Sequence, residues 1–123
     1  MLKNILLVAI GGGVGSVLRY VIGLIAEKHT ESIFPLGTFT VNVLGGLFIG
    51  FLFGLSLRSS GENETLKLLL MTGFCGGFTT FSTFSLENLT LLQSGQYMVA
   101  LAYILSSILL GVAAVLLGVY ISR

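Results

Sequence analysis

Charged and chemically reactive side chains are scarce in this sequence. Only 9% of its 123 residues are charged and 54% are apolar, whereas soluble domains carry about 25% charged residues. One Cys allows no intrachain disulfide, one His allows no histidine-rich metal cluster, and Asp is missing altogether. A net charge of +1 gives no basic surface that could neutralise many phosphates. The composition therefore excludes a water-soluble domain, zinc chemistry, nucleic-acid binding and the catalytic constellations of an enzyme.

Long apolar runs occupy most of the chain between its few charges. A helix needs about 20 mainly apolar residues to cross the hydrocarbon core of a bilayer. The runs of this kind are residues 5–26, 37–57, 67–92 and 97–121. Short polar connectors separate them, so the sequence predicts one transmembrane domain, residues 1–123, with four helices. Lys3 before the first run leaves a cleaved signal peptide as an alternative, but the run is too long for one and it contains Arg19.

Lys and Arg are only weakly biased between the two sides of such a four-helix array. One side would carry Lys3, Arg58, Lys67 and Arg123, and the other would carry Lys28. An excess of Lys and Arg in short loops marks the cytoplasmic side. The bias favours cytoplasmic termini, but it is weak enough to permit insertion in both orientations.

Residues 73–85 place two adjacent glycines and a dense run of hydroxyls in the middle of the third apolar run. Gly-Gly followed by β-branched Thr-Thr is a weak point for a helix, and hydroxyls compete for its backbone hydrogen bonds. We therefore expect a break near residues 76–80, with a continuous helix whose hydroxyls bond to their own carbonyls as the alternative. Irregular backbone at membrane depth must be buried in protein or line a wet cavity, so a break indicates a site for an ion or polar solute.

Three groups of residues carry a resemblance to a known family. They are Arg19-Tyr20 after a glycine-rich first helix; Gly37-Thr38, Val41-Asn42 and Gly45 in the second helix; and the string from Gly73 to Phe84. Together they resemble the Fluc (CrcB) family of fluoride channels over the whole chain. The resemblance implies an all-α membrane protein whose third helix is broken at mid-membrane. It also implies an antiparallel, dual-topology homodimer with two pores, and a structural Na⁺ on the two-fold axis.

The function implied by the resemblance is passive export of fluoride from the cytoplasm across the inner (plasma) membrane, which lowers fluoride toxicity. The expected partners are the fluoride ion, a second copy of the chain and membrane lipid, with no nucleic acid. Several residues match family positions. The carbonyls of Gly76 and Thr79 match the Na⁺ ligands, and Phe81 and Phe84 match the paired phenylalanines that line each pore.

The remaining matches are polar positions beside the ion path. Asn42 matches an amide that donates to fluoride or to a neighbouring phenylalanine. The others are Ser82, Thr83, Tyr103 and Ser107 along the path, Arg19 as a buried cation, and Glu87 as an acidic residue near a helix end. Fluoride is strongly hydrated, so a pore must replace its water with donors that are already in place.

Ordinary interpretations exist for the same side chains. Phe81 and Phe84 are three residues apart, which places them on one helix face but is equally the spacing of two packed aromatics. Glu87 lies near the end of its apolar run and could simply extend to the membrane surface. We expect Arg19 to raise the local concentration of anions at a vestibule.

Two other functions compete with a fluoride channel. A small proton-coupled multidrug exporter of cationic compounds would also use four helices and antiparallel dimers, but it requires a carboxylate deep in the membrane, preferably in the first helix. Here the first helix carries Arg19 and no acid, and the only acid near the membrane interior is Glu87. A non-transporting assembly subunit is the third alternative, and it would have no use for the hydroxyl-rich run.

Overall fold

All regular structure in the part of the chain that the computed structural model describes, residues 1–59 and 63–123, is helical. The elements are α1 (Leu2–His29), α2 (Leu36–Arg58), α3 (Glu64–Leu66), a π-helix (Lys67–Cys75), α4 (Gly76–Phe78), α5 (Ser82–Gln93) and α6 (Tyr97–Ser122). Three of them, α1, α2 and α6, are long and apolar enough to cross a membrane. Most of their large apolar side chains are exposed in the single chain, and such surface requires lipid or another protein to cover it. The chain is therefore a multi-pass membrane protein.

The third apolar run is divided into two helical parts. Residues 64–78, which comprise α3, the π-helix and α4 and which we name the first half-helix, end at Phe78. Thr79 is extended, with φ −86° and ψ 160°, and α5, which we name the second half-helix, begins at Ser82. We name the non-helical residues 79–81 the break.

The two glycines that suggested a break are themselves helical. Gly76 has φ −62° and ψ −37°, and the chain leaves the helical path only after Phe78. Position 77 requires a glycine for a different reason: a Cβ there would lie 2.9 Å from the Cα of Gly12 on α1. Glycine thus serves close helix packing at this point, and the interruption falls on the two threonines and Phe81.

Glycines also bring the long helices together. A Cβ on Gly50 of α2 would lie 2.9 Å from the Cα of Val115 on α6, and one on Gly118 would lie 2.6 Å from a backbone nitrogen of α2. Small residues allow such approach in lipid, where packing and not water drives helix association. The glycine spacing predicted this use and the structure confirms it here, although Gly111, part of the same pattern, faces open space.

A small buried cluster fixes the second half-helix against α6. It consists of Leu91, Ala100 and Tyr103, with Phe34, Phe39, Phe84 and Val99 packed against it. Aromatic rings contribute most of its volume, and one of them, Phe34, comes from the loop between α1 and α2. The cluster holds the start of α5 at a fixed distance from α2 and α6, and so positions the site described next.

Candidate functional site

Arg19 on α1 caps the end of the first half-helix. In an uninterrupted helix the Gly77 carbonyl would accept the N–H of Phe81, but the break removes that donor. The Gly77 carbonyl instead accepts a hydrogen bond from Arg19 Nε at 3.0 Å and one from Ser16 Oγ at 3.4 Å. A cationic donor matches the negative end of a helix dipole. The guanidinium therefore stabilises the broken backbone and also brings a positive charge to it.

Asn42 on α2 binds both backbone groups of a residue in the break. The N–H of Thr80 donates to Asn42 Oδ1 at 2.8 Å, and Asn42 Nδ2 donates to the Thr80 carbonyl at 3.1 Å. Only a side chain with both an acceptor and a donor can do this, and an amide has one more N–H left over. Asn42 thus holds the break in place and keeps a free hydrogen for a further acceptor.

Threonine hydroxyls close the two helix ends at the break. Thr79 donates from both its N–H, at 3.0 Å, and its Oγ1, at 2.9 Å, to the carbonyl of Cys75. Thr80 Oγ1 accepts the N–H of Thr83 at 3.2 Å and so serves as an N-terminal cap for α5. The hydroxyl of Thr79 does bond back to its own turn, as the continuous-helix alternative required, but the helix ends there.

Several backbone groups at the break lack a partner in the part of the chain that the structure describes. Within residues 1–59 and 63–123, no donor reaches the carbonyls of Gly76 or Thr79, and no acceptor reaches the N–H groups of Phe81 or Ser82. The carbonyls lie at the negative end of the dipole of the first half-helix, and the N–H groups lie at the positive end of the dipole of the second. Such ends can hold a cation and an anion respectively.

A cavity of about 340 Å³ reaches the break from the loop between α1 and α2. Its lining includes Thr30 and Ser32 in that loop and Thr80 in the break. Between them lie the side chains of Arg19, Thr38, Thr83 and Glu87. Most of these groups can donate a hydrogen bond. The positive charge of Arg19 is accompanied by the carboxylates of Glu27 and Glu87, so the cavity can hold an ion or a polar solute.

Glu87 is turned inward and held by two hydroxyls. Its carboxylate accepts from Thr38 Oγ1 at 3.0 Å and from the hydroxyl of Tyr103 at 2.8 Å. One interpretation of the sequence had Glu87 extend to the membrane surface. Because its partner Tyr103 is fully buried, the carboxylate does not do so. It occupies a wall of the cavity, one helical turn beyond Thr83.

The two phenylalanines of the third run have different surroundings. Their ring centroids are 6.1 Å apart, but Phe81 is 79% exposed in the single chain whereas Phe84 packs edge-on against Tyr103 at 4.9 Å. Phe81 lies in the break and Phe84 in the first turn of α5. One ring therefore points out of the chain, and the other points into the buried cluster.

The structure brings most of the sequence-predicted residues to two neighbouring places. The residues at the break are Arg19, Asn42, Gly76, Thr79, Phe81, Ser82 and Thr83. Phe84 and Glu87 follow in the first two turns of α5, where they contact Tyr103 of α6. Ser82 is exposed, and its hydroxyl lies 3.4 Å from that of Thr80. Ser107 lies one turn beyond Tyr103 on α6, and its buried Oγ has no partner in the described part of the chain.

Sequence reasoning missed several contributors to the site. Ser16 and Thr38 each precede a predicted residue by one helical turn, Arg19 and Asn42 respectively, so helical spacing could have identified them. Thr80 stood inside the hydroxyl run without a role. No signal in the sequence links it to Asn42, because the contact joins α2 to the break, 38 residues further along the chain.

Comparisons with known proteins agree with this architecture. The family described as CrcB-like protein, Camphor Resistance (CrcB), matches residues 6–119. A protein of Azobacteroides pseudotrichonymphae named Fluoride-specific ion channel FluC is 58% identical over 118 residues, covering 96% of this chain and 94% of that protein. Proteins of the same name from Flavobacterium psychrophilum and Phocaeicola vulgatus are 45% and 46% identical, over 99% of this chain and 98% and 100% of theirs. The chain belongs to the CrcB family.

Proposed function

We propose that this protein is a fluoride-specific channel through which F⁻ leaves the cytoplasm passively, so that fluoride toxicity is lowered. The observation that carries the proposal is the break at residues 79–81 inside a membrane protein, where Phe81 and Ser82 have unpaired N–H groups and where Arg19 and Thr80 line a polar cavity. The names of its relatives supply the ion. Transport of this kind needs no bond to be made or broken, and the protein is not an enzyme.

The ion path runs from the cavity to the start of α5. Arg19 attracts the anion to the inner end of the cavity, beside the break. The hydroxyls of Ser82 and Thr83 and the spare Nδ2 hydrogen of Asn42 replace water around the ion. The rings of Phe81 and Phe84 then present their positive edges, which bind weakly enough to release an anion. Tyr103 and Ser107 continue the polar path along α6, and Glu87 orients Tyr103 through their hydrogen bond.

The working unit is an antiparallel, dual-topology homodimer in which each chain crosses the inner (plasma) membrane four times. α1, α2 and α6 each make one crossing, and the divided third run makes the fourth. The weak Lys and Arg bias supports insertion in both orientations, and the exposed ring of Phe81 supports a second copy, because a partner would complete the path on that side. Two copies related in this way provide two pores.

Dual topology can be tested by labelling from one side. In a Cys75→Ala background, a cysteine introduced by Ser94→Cys lies in the exposed turn between α5 and α6. A membrane-impermeant thiol reagent added outside sealed vesicles should label about half of the molecules if both orientations are inserted. Labelling of all or none would contradict dual topology.

The residues at the break also fit a structural Na⁺. The free carbonyls of Gly76 and Thr79 are oxygen donors of the kind that bind Na⁺ in broken membrane helices. Both residues line a second cavity of about 390 Å³, and a Cβ on Gly76 would meet nothing within 4 Å, so a partner's carbonyls have room to approach. When bound, the ion would hold together the ends of the first half-helices of the two copies. Exchange of Na⁺ for K⁺ should then reduce dimer activity, and indifference to the exchange would contradict the site.

The decisive experiment is fluoride efflux from liposomes that contain the purified protein, measured with a fluoride electrode beside chloride-loaded liposomes. We expect rapid fluoride release with chloride retained. No release from folded protein would overturn the proposal and favour proton-coupled export, for which a pH gradient and Glu87→Gln would be the next test.

A further inference from the structure

The loop between α1 and α2 inserts one aromatic side chain into the buried cluster beside the proposed ion path. The ring of Phe34 meets that of Tyr103 edge-on, with centroids 5.2 Å apart and planes at 70°. It meets Phe39 in the same manner at 5.3 Å and 76°. Its neighbour Ile33 is 59% exposed. The loop therefore directs one of two adjacent apolar side chains inward and the other outward.

The backbone of Phe34 is fixed on both sides. Its N–H donates to Ser32 Oγ at 3.2 Å, and its carbonyl accepts the N–H of Leu36 at 2.8 Å. The following residue is Pro35, which restricts the conformation of the residue before it. The loop thus fixes the backbone of Phe34, and the contacts with Phe39 and Tyr103 hold its ring.

Tyr103 is held on three sides. It is fully buried, with Phe34 on one side and Phe84 on the other, at 4.9 Å and 61°, and its hydroxyl donates to Glu87 at 2.8 Å. Edge-to-face contacts are directional because the ring edge is positive and the ring face is negative. If Phe34 were removed, space would open beside Tyr103, and its hydroxyl could turn away from Glu87.

We infer that Phe34 is a positioning residue for the channel, which holds Tyr103 against Phe84 and Glu87 and so sets the transport rate without touching the ion. The inference rests on the proposed function, in which Phe84 and Tyr103 line the path. An aromatic residue that merely anchored a loop at the membrane surface would point outward, as Ile33 does, and would need no contact with Tyr103.

Three single substitutions test the inference by fluoride efflux. Phe34→Leu removes the ring and keeps an apolar side chain; Phe34→Tyr keeps the ring. Phe53→Leu is the matched control, because Phe53 is 47% exposed on α2. We expect Phe34→Leu to lower the efflux rate about two- to tenfold, the factor that one edge-to-face ring contact represents. Phe34→Tyr and Phe53→Leu should stay near the wild-type rate, and a wild-type rate in Phe34→Leu overturns the inference.

A double-mutant cycle separates positioning from simple packing. If Phe34 acts through the placement of the Tyr103 hydroxyl, then Phe34→Leu should lower the rate less in a Tyr103→Phe background than it does alone. Equal effects in both backgrounds would contradict action through Tyr103. If Phe34→Leu does not yield folded dimer, Phe34→Met, whose flexible apolar side chain adapts to an irregular space without a ring, takes its place.

A spectroscopic measurement tests the same contact without transport. In protein labelled with ¹³C at the tyrosine ring Cζ, the Tyr103 resonance is the one lost in Tyr103→Phe, and it responds to the hydrogen bond of the hydroxyl. Phe34→Leu should shift it and Phe53→Leu should not; an unshifted resonance in Phe34→Leu overturns the inference. A shifted resonance together with a wild-type protein that releases no fluoride would instead count against the proposed function and leave the positioning contact supported.

Discussion

The seam between α2 and α6 and the break in the third run hold the chain together by opposite means. In the seam, Gly50 and Gly118 let two continuous helices touch through their backbones. At the break, hydrogen bonds from Arg19 and Asn42 replace those that the helix gives up. The seam depends on shape, whereas the break depends on donors and acceptors in fixed places.

The difference predicts how each region responds to substitution. A close-packed seam tolerates little added volume, since atoms cannot be compressed. The break tolerates a smaller side chain, but it does not tolerate the loss of a hydrogen-bonding side chain such as Asn42. Without that side chain, a backbone group of the break would be unpaired away from water, and the break would lose the conformation that the ion path needs. Changes in the seam should therefore alter the stability of the fold, and changes at the break should alter transport while the fold persists.

The largest effect on transport is expected from Phe84→Ile. Isoleucine fills a similar volume but has no positive ring edge for an anion, so fluoride would have to cross without a substitute for its water. Efflux should fall to the rate of protein-free liposomes while the dimer still assembles, and Phe81→Ile should behave alike.

The matched control is Phe48→Ile, at a ring contact outside both regions. Phe48 of α2 meets Phe74 of the π-helix edge-on at 5.6 Å, and we expect its substitution to lower thermal stability but to retain fluoride selectivity. Wild-type efflux in Phe84→Ile would contradict its place on the ion path, and lost selectivity in Phe48→Ile would show that ring contacts outside the break also shape that path.

Asn42→Asp should have the next largest effect. Aspartate cannot donate to the Thr80 carbonyl that Asn42 binds at 3.1 Å, and its charge repels an incoming anion. Losing the donor to the Thr80 carbonyl and adding a negative charge on the ion path should lower the efflux rate about a hundredfold, which corresponds to about 3 kcal/mol of added barrier. Asn42→Ala removes the hydrogen bonds without adding charge. A smaller loss in Asn42→Ala than in Asn42→Asp is expected, and full activity in Asn42→Asp would contradict a place on the ion path.

The seam was largely predictable from the sequence, since it follows from local spacing. Apolar runs indicate spanning helices, and glycines at four-residue intervals lie on one helix face, so the spacing alone assigns Gly50 to helix packing. The existence of an interruption was also predictable, because adjacent threonines after two glycines weaken a helix.

The exact position of the break and the side chains that bind it could not be predicted from the sequence. Gly77 is helical and lies against Gly12 of α1, and that close approach is a property of two helices and not of one. The same holds for Asn42 and Thr80, which are 38 residues apart. Local propensity cannot show which distant side chain will satisfy a freed backbone group.

Substitutions of Arg19 can separate its two contributions, as a cap and as a charge. Arg19→Gln keeps an N–H donor for the Gly77 carbonyl without charge, and Arg19→Lys keeps the charge as a compact ammonium. A charge-assisted hydrogen bond contributes about 1.5–3 kcal/mol, so we expect about a tenfold to hundredfold lower efflux in Arg19→Ala. If Arg19→Lys but not Arg19→Gln keeps the wild-type efflux rate, the charge is the larger contribution to transport. If only Arg19→Gln keeps it, the hydrogen bond to the Gly77 carbonyl is. Wild-type efflux in Arg19→Ala would exclude both.

The smallest effect on transport is expected from Gly50→Ala, although it strikes the seam directly. The added Cβ would lie 2.9 Å from the Cα of Val115, so α2 and α6 must separate. Overpacking of this kind costs about 1–3 kcal/mol, which thermal unfolding in detergent should reveal as a lowered midpoint. Gly13→Ala is the matched control, since a Cβ at Gly13 on α1 would meet nothing within 4 Å. Efflux per folded dimer should be unchanged in both variants, because neither touches the break. A Gly50→Ala protein that keeps its stability but loses fluoride selectivity would show that the seam helps to shape the ion path, and the two regions would then have to be treated as one.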